Sequence, residues 1–293
     1  MKSRTLVSLL AAGSLLLAAP LAAQNAAPAV TFPAASPLGS LKQRVGVTDI
    51  EVSYHRPSAK GRQVFGGLVP YGEIWRTGAD NATRVTFSNP VKLNGTAVAA
   101  GTYELFTIPG EREWIVILQN PGERPQWGAY TYDAKNDAAR FAATPVAGPA
   151  VETLTFTVGD IRPGSATLTM AWATTQVPVK VEIDTVGMLV PQIEAAMADP
   201  EKAKRIYFPS AMFYYENGLD LNKAIEWMNA GLAANPNAFW MIYRKGLILA
   251  KAGDKAGAKA AAEQSLAMAE KDQRAGIREE YVRLNKALLE SLK

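Results

Sequence analysis

Residues 91–118 read VKLNGTAVAAGTYELFTIPGEREWIVIL, and this stretch decides the fold of the N-terminal part of the chain. Two short apolar–polar triplets flank Asn94 and Gly95, a pair that accepts the positive φ angles of a two-residue hairpin. A further alternating run at 102–108 ends at a Pro-Gly turn, and a denser apolar run follows at 114–118. Short alternating runs joined by tight turns predict antiparallel strands.

The same period of two extends outward from residue 41 to about 184. It predicts eight or nine short strands, with turn signals such as Pro163-Gly164 between them. Because strands do not alternate with helices here, a parallel α/β sheet is not expected. We therefore predict an antiparallel β-sandwich or jelly-roll-like domain at 39–185.

From Gly187 the apolar period changes to that of helices, and we predict an α-helical domain at 187–293. A shift of 34 residues superimposes Asp220 on Asp254 and Ala224 on Ala258. That period is typical of the tetratricopeptide repeat, so this segment is interpreted as tetratricopeptide-like. Glu270 stands where the repeat would close with proline, and a plain helical bundle with coincidental spacing is the alternative.

The N-terminus has the pattern of a secretory signal peptide, residues 1–23: a cationic start, an uncharged apolar run and small residues at the cut. An Ala/Pro-rich linker follows at 24–38. The apolar run is shorter than the roughly 20 residues that span a bilayer, so a membrane anchor is the less favoured alternative. We expect a periplasmic or secreted bacterial protein without a membrane span after signal removal.

Composition excludes several classes of function. The 293-residue chain carries 31 basic and 27 acidic residues, which is too even a balance for a general nucleic-acid partner. It has no cysteine and one histidine, His55, which excludes thiolate chemistry and multi-histidine metal sites. Dinucleotide and P-loop glycine motifs are absent as well. We predict no metal and no cofactor, and a protein that is not clearly an enzyme.

Candidate ligand-binding residues cluster between the strand-like runs, where polar loop residues often carry function. They are Arg56, Lys60, Arg62, Trp75, Arg76 and Trp127. Arginine and lysine donate hydrogen bonds to anions, and tryptophan stacks on rings. The first hypothesis is a binding or interaction protein for a polar or anionic small molecule or glycan, whose helical segment docks a protein partner.

Two alternatives remain open. The first is a hydrolase of envelope glycans that uses Glu73 and Asp80 as paired carboxylates. The second is a purely structural loop network, in which the arginines tie long loops together and function lies in the helical tail. The second alternative requires that Arg56, Arg62 and Arg76 be buried and fully paired.

Several strings in the N-terminal half carry a family resemblance. They are VGVT (45–48), YHRPS (54–58), KGR (60–62), FGGLVPYG (65–72), WRTGA (75–79), NAT (81–83), AGTY (100–103) and QWG (126–128). With them, residues 37 to 184 resemble DUF2911, a bacterial domain family of unknown function. The resemblance implies a secreted domain, often followed by a helical repeat segment, and brings no substrate or catalytic residues. His55 stands where the family pattern usually has a small residue, which argues against a shared catalytic histidine.

Overall fold

The computed structural model describes residues 32–293. The predicted signal peptide and the first part of the predicted linker, up to residue 31, lie outside the described residues. Within these described residues the chain forms ten strands and then six α-helices, so the predicted combination of an antiparallel β-fold and a helical segment is confirmed.

The strands begin one residue earlier than the predicted domain boundary. Their bounds are β1 (Leu38–Val45), β2 (Thr48–His55), β3 (Ala79–Phe87), β4 (Val91–Leu93), β5 (Thr96–Val98), β6 (Gly101–Ile108), β7 (Trp114–Gln119), β8 (Asp137–Ala143), β9 (Val146–Arg162) and β10 (Ser165–Glu182).

Two antiparallel sheets form the β-domain. One has six strands in the order β1-β2-β3-β6-β7-β8, and the other has four in the order β5-β4-β10-β9. The first sheet is a meander from which only the β4–β5 hairpin departs. That hairpin closes through Asn94 and Gly95, with φ angles of 46° and 85°, and Leu93 pairs with Thr96. These angles are those of the tight hairpin turn that the Asn-Gly pair predicts.

Each face of the six-stranded sheet is buried by a different layer. Alternation sends Leu105 and Val116 into the main core, where they join side chains from the four-stranded sheet. The intervening Phe106 and Ile117 face outward and are fully buried in a smaller core. Tyr132, from the loop between β7 and β8, packs on that outer face. The long loop therefore acts as a lid on the sheet.

The helices are α1 (Thr185–Met197), α2 (Pro200–Glu216), α3 (Leu221–Ala234), α4 (Phe239–Lys251), α5 (Lys255–Ala269) and α6 (Ala275–Ser291). The first begins two residues before the predicted boundary because the side chain of Asp184 caps it by accepting the N–H of Gly187. In the described part of the chain, no helix is both long and apolar enough to cross a membrane.

The 34-residue period has a structural basis. Asp220 and Asp254 are the N-caps of α3 and α5, and each accepts a backbone N–H of its helix. Ala224 and Ala258, the next superimposed pair, are completely buried. The helical C-terminal segment is consistent with the tetratricopeptide-like interpretation, with α2–α3 and α4–α5 as contacting pairs and α6 against α5. Glu270, in place of proline, is the C-cap of α5.

Candidate functional site

A cleft of about 370 Å³ lies beside two tryptophans of the sandwich core. Its walls come from the connection between β2 and β3, from the segment before β1 and from β10 of the opposite sheet. The lining residues are Ala35, Ser36, Pro57, Ser58, Lys60, Arg62, Leu68, Val69, Pro70, Glu73, Ile74, Trp75, Arg76, Gly78, Ala79 and Trp172. Four of the six ligand-binding candidates therefore meet in one cleft, since Lys60, Arg62, Trp75 and Arg76 belong to this set.

Trp75 forms an inner wall of the cleft and belongs mainly to the core. It is only 8% exposed, and its indole N–H donates to the carbonyl of Gly78 at 3.0 Å. Its ring stacks on Trp172 with centroids 5.9 Å apart and an interplanar angle of 20°. Backbone hydrogen bonds of 2.8 Å in both directions join Trp75 to Thr107 of β6. Little of this ring is left for a ligand, so its main contribution is to packing.

Arg76 follows directly, and its guanidinium has no hydrogen-bond or ion-pair partner among residues 32–293. Its Nε atom is buried without a hydrogen bond. Among residues 32–293, no carboxylate or carbonyl accepts from its terminal nitrogens either. Arginine cannot lose its charge in a protein, and buried polar groups are almost always paired. A lone guanidinium in a cleft is therefore free to donate to an anion that enters it.

Lys60 and Arg62 contribute charge to the same cleft. The exposed ammonium of Lys60 has no ion pair within the described residues, and its backbone N–H donates to Glu152 Oε1 at 2.8 Å. The guanidinium of Arg62 already makes two hydrogen bonds: its Nε donates to the carbonyl of Ala59 at 2.9 Å, and its Nη2 donates to that of Ser58 at 2.7 Å. These bonds fix the direction of the Arg62 guanidinium and leave its other terminal nitrogen unused.

Arg56, the fourth cation, does not line the cleft. Its Nε donates to the carbonyl of Leu154 at 3.0 Å, and its Nη2 donates to Thr155 Oγ1 at 2.8 Å. The guanidinium also lies 5.8 Å from the ring centre of Tyr54. Arg56 therefore joins β2 to β9 as a structural tie. The four cations thus differ in their contacts, since Arg56 is tied to β9 whereas Lys60, Arg62 and Arg76 line the cleft.

The two candidate catalytic carboxylates occupy different surroundings. Glu73 is exposed and is the only carboxylate among the residues that line the cleft. Asp80 has half of its side chain exposed, and its Oδ2 lies 3.3 Å from Nδ1 of His55. Asp80 is not among the lining residues, so the cleft lacks the pair of facing carboxylates that glycoside hydrolysis uses. Three cations and one carboxylate leave the cleft with a net charge of +2.

Backbone strain concentrates around this cleft. Lys60 has a φ of 50°, as does Ala173, the residue that follows Trp172, and Thr77, the residue after Arg76, has a φ of 53°. Positive φ angles are uncommon for residues other than glycine, above all for a β-branched residue such as Thr77, and cost on the order of 1–3 kcal/mol each. The buried Thr77 is held by its hydroxyl contact with Thr107 at 3.1 Å. Strain of this kind gathers at binding sites, where the surrounding structure maintains it.

Trp127, the sixth ligand-binding candidate, lies outside the cleft. It is 63% exposed in the loop between β7 and β8, and its ring stacks on that of Tyr130 with centroids 5.8 Å apart. We call Trp127 and Tyr130 the aromatic pair. An antiparallel bridge joins Trp127 to Asn81 near the start of β3. The sequence grouped Trp127 with the cations, and the structure separates it from them.

A polar cluster beneath this loop was not predicted. It consists of Arg84, Glu104, Gln119, Gln126, Tyr132, Asp137 and Arg140, and we call it the outer-face network. Glu104 is completely buried and accepts the backbone N–H of Gln126 at 2.9 Å and its side-chain Nε2 at 2.7 Å. Burial raises the pKa of Tyr132, and the hydrogen bond to Asp137 raises the pKa of Arg140.

Two residues of these regions, Trp172 and Glu104, were not predicted from the sequence. Trp172 lines the cleft from β10, far along the chain from Trp75, and no local pattern connects the two. Glu104 lies in an alternating run that predicts a strand, and its position on the outward face was the available signal. No group of three or more His, Cys, Asp or Glu side chains that could hold a metal occurs between residues 32 and 293.

The comparisons with known proteins agree with the resemblance in the motif strings. The family described as "Protein of unknown function (DUF2911)" matches residues 36–181. No curated protein and no solved structure matches the chain significantly.

Proposed function

Residues 36–181 belong to the DUF2911 family, and we propose that this domain binds a small amphipathic anion in the cleft beside Arg76. The observation that carries the proposal is the guanidinium of Arg76, which has a buried Nε and no partner in the described chain. Hydrogen bonds from arginine to carboxylate or phosphate are roughly twice as strong as neutral ones. The net charge of the cleft adds attraction for an anion.

The apolar part of the lining defines the rest of the ligand. Leu68, Val69, Pro70 and Ile74 line the cleft beside the cations. A volume of about 370 Å³ falls within the range of small-molecule sites, which is roughly 300–1,000 Å³. A compact apolar body with one carboxylate, phosphate or sulfate group matches this combination. A highly charged polymer matches it less well, because half of the cleft offers no polar partner.

Calorimetric titration with phenyl phosphate, benzoate and octyl sulfate tests the proposal, with benzyl alcohol as the neutral control. We expect at least one anion to bind, and its affinity to fall with added NaCl because exposed charges are screened by salt. Arg76→Ala should weaken that binding about 10- to 100-fold, the equivalent of one lost charged hydrogen bond. The proposal fails if no anion binds more tightly than benzyl alcohol, or if Arg76→Ala binds like the parent.

We also propose that the protein is exported to the bacterial periplasm or exterior. The support is the signal-peptide pattern of residues 1–23. N-terminal sequencing of protein from the periplasmic fraction should give a mature chain that begins near Gln24. A cytoplasmic protein that retains Lys2 and the apolar run would contradict export.

The docking of a protein partner by the helical segment stays a prediction. A groove of about 650 Å³ between α3, α4 and α5 offers a surface for such a partner.

A further inference from the structure

The aromatic pair stands out because its rings are exposed and yet fixed. Trp127 is 63% exposed and Tyr130 is 80% exposed, whereas most large aromatic side chains of the sandwich are buried. Their rings lie at an interplanar angle of 25°. Exposed apolar surface of this size is costly in water and commonly marks a binding surface. The pair is separate from the cleft, since neither residue lines it.

The loop backbone holds the pair in one position. Gly128 donates its N–H to the carbonyl of Asp80 at 2.9 Å, and Ala82 donates to the carbonyl of Gln126 at 2.8 Å. Gly128 has a φ of 73°, and a Cβ atom there would lie 2.5 Å from the Tyr130 ring. Only glycine permits both this backbone angle and this close approach. The rings are therefore preorganised, which lowers the entropy lost when a ligand binds.

A buried carboxylate anchors the same turn. Glu104 accepts both the backbone and side-chain N–H groups of Gln126, the residue before Trp127. Gln119, also completely buried, accepts a further bond from the Gln126 amide. Burying charge is costly unless it is paired and hydrogen-bonded. The residue before Trp127 is thus held by a completely buried carboxylate that is hydrogen-bonded to it.

A neutral hydrogen-bonding group lies beside the pair. Asn81 is the antiparallel partner of Trp127, and such partners project from the same face. Its amide has no hydrogen bond with residues 32–293. An amide carries no charge with which to pair an anionic ligand. The rings stack on each other and enclose no cage, which disfavours a quaternary ammonium ion.

We propose that the aromatic pair and Asn81 form a second binding site, which takes a neutral saccharide. The apolar C–H face of a pyranose ring would lie on the exposed aromatic face, since such rings combine an apolar body with polar edges. The hydroxyl groups at the rim of the sugar would bond with the amide of Asn81. This site acts independently of the anion cleft.

Titration with maltohexaose, cellohexaose and chitohexaose, followed by tryptophan fluorescence and calorimetry, tests the proposal. We expect at least one to bind with a Kd of about 1 mM or tighter. Trp127→Ala should weaken binding at least tenfold, and Tyr130→Ala should weaken it similarly. Trp240→Ala, which removes a partly exposed tryptophan from α4, is the matched control and should leave binding unchanged. Arg76→Ala should also leave it unchanged, because the sites are separate.

Two results would overturn the saccharide site. One is the absence of binding by all three hexasaccharides up to several times the expected Kd, a result that would point to a protein or no partner at this surface. The other is equal binding by Trp127→Ala, Tyr130→Ala and the parent. Because both rings are exposed, we expect both variants to fold, and their urea midpoints should match that of the parent. Neither result bears on anion binding in the cleft.

Discussion

The cleft and the outer-face network use the same residue types in opposite ways. In the outer-face network, every carboxylate and side-chain amide oxygen accepts at least one hydrogen bond, as Glu104 and Asp137 do. In the cleft, Lys60 and Arg76 have no charged partner among the described residues. Both regions hold an arginine whose Nε is buried without a hydrogen bond, Arg76 in the cleft and Arg84 in the outer-face network. Arg84 lies 3.8 Å from the carboxylate of Glu104, whereas Arg76 has no carboxylate partner among residues 32–293, and this difference is why we propose Arg76 as the anion-binding group.

The largest expected effect is the loss of Trp75. Although it lines the cleft, it stacks on Trp172 within the core, so Trp75→Ala should lower the free energy of unfolding by about 3–5 kcal/mol. Urea unfolding followed by circular dichroism measures this. An unchanged urea midpoint would contradict the assignment of Trp75 to the core. Any test of binding should therefore leave Trp75 intact.

Glu104→Ala should be next in size. It would leave two donors of Gln126 without their acceptor and the partly buried Arg84 without its ion-pair partner 3.8 Å away, at a cost of about 3 kcal/mol in unfolding free energy. Glu104→Gln is the matched control, since an amide oxygen still accepts one of these bonds, and it should lose less. If Glu104→Ala were as stable as the parent, the hydrogen bonds of the outer-face network would not contribute to stability, and the contrast with the cleft would be wrong.

The variants Arg56→Ala and Arg76→Ala compare a hydrogen-bonded arginine with one that has no partner among residues 32–293. Arg56 makes two hydrogen bonds to β9, so its removal should cost about 1–3 kcal/mol of stability. Arg76 makes none with residues 32–293, so Arg76→Ala should change stability by no more than about 0.5 kcal/mol. Urea midpoints of both variants in one buffer provide the measurement. Equal losses would mean that both arginines are structural.

The smallest effect concerns an exposed ion pair distant from both regions. The hydrogen bond from the side chain of Arg274 lowers the pKa of Asp272 from 3.8 to about 2. A lowered pKa in the folded state means that the stabilisation is present above pH 3.8 and is lost as the pH falls through about 2. The parent should therefore be slightly more stable than Asp272→Asn at pH 5. The difference should vanish near pH 2, as measured by urea midpoints, and a constant difference would contradict this.

Much of the fold could be predicted because its signals are local. The alternation at 102–108 and the Asn94-Gly95 turn act within a few residues, as do the caps Asp220 and Asp254 that repeat at 34 residues. Hydrophobic period and capping depend on side chains close in sequence. The sandwich and the helical segment follow from such signals without knowledge of any long-range contact.

The roles of the site residues could not be predicted, because their partners are distant in sequence. Arg56 and Arg76 are equally polar residues next to strands, and only the contacts of Arg56 with Leu154 and Thr155, 98 and 99 residues away, tell them apart. The role of Trp75 in the core similarly follows from its stacking on Trp172, which comes from the other sheet. Four of the six candidates chosen from the sequence share the cleft. The sequence could not say which of them already have hydrogen-bond partners within the protein.

The most direct test of anion binding through Arg76 is a calorimetric titration of the parent, Arg56→Ala and Arg76→Ala with the tightest-binding anion of the three. We predict that Arg56→Ala binds the anion as the parent does, despite its lower stability. Arg76→Ala should lose about 10- to 100-fold in affinity at unchanged stability. Equal affinities in all three proteins, or a loss confined to Arg56→Ala, would contradict the claim that the unpaired guanidinium of Arg76 is the anion-binding group.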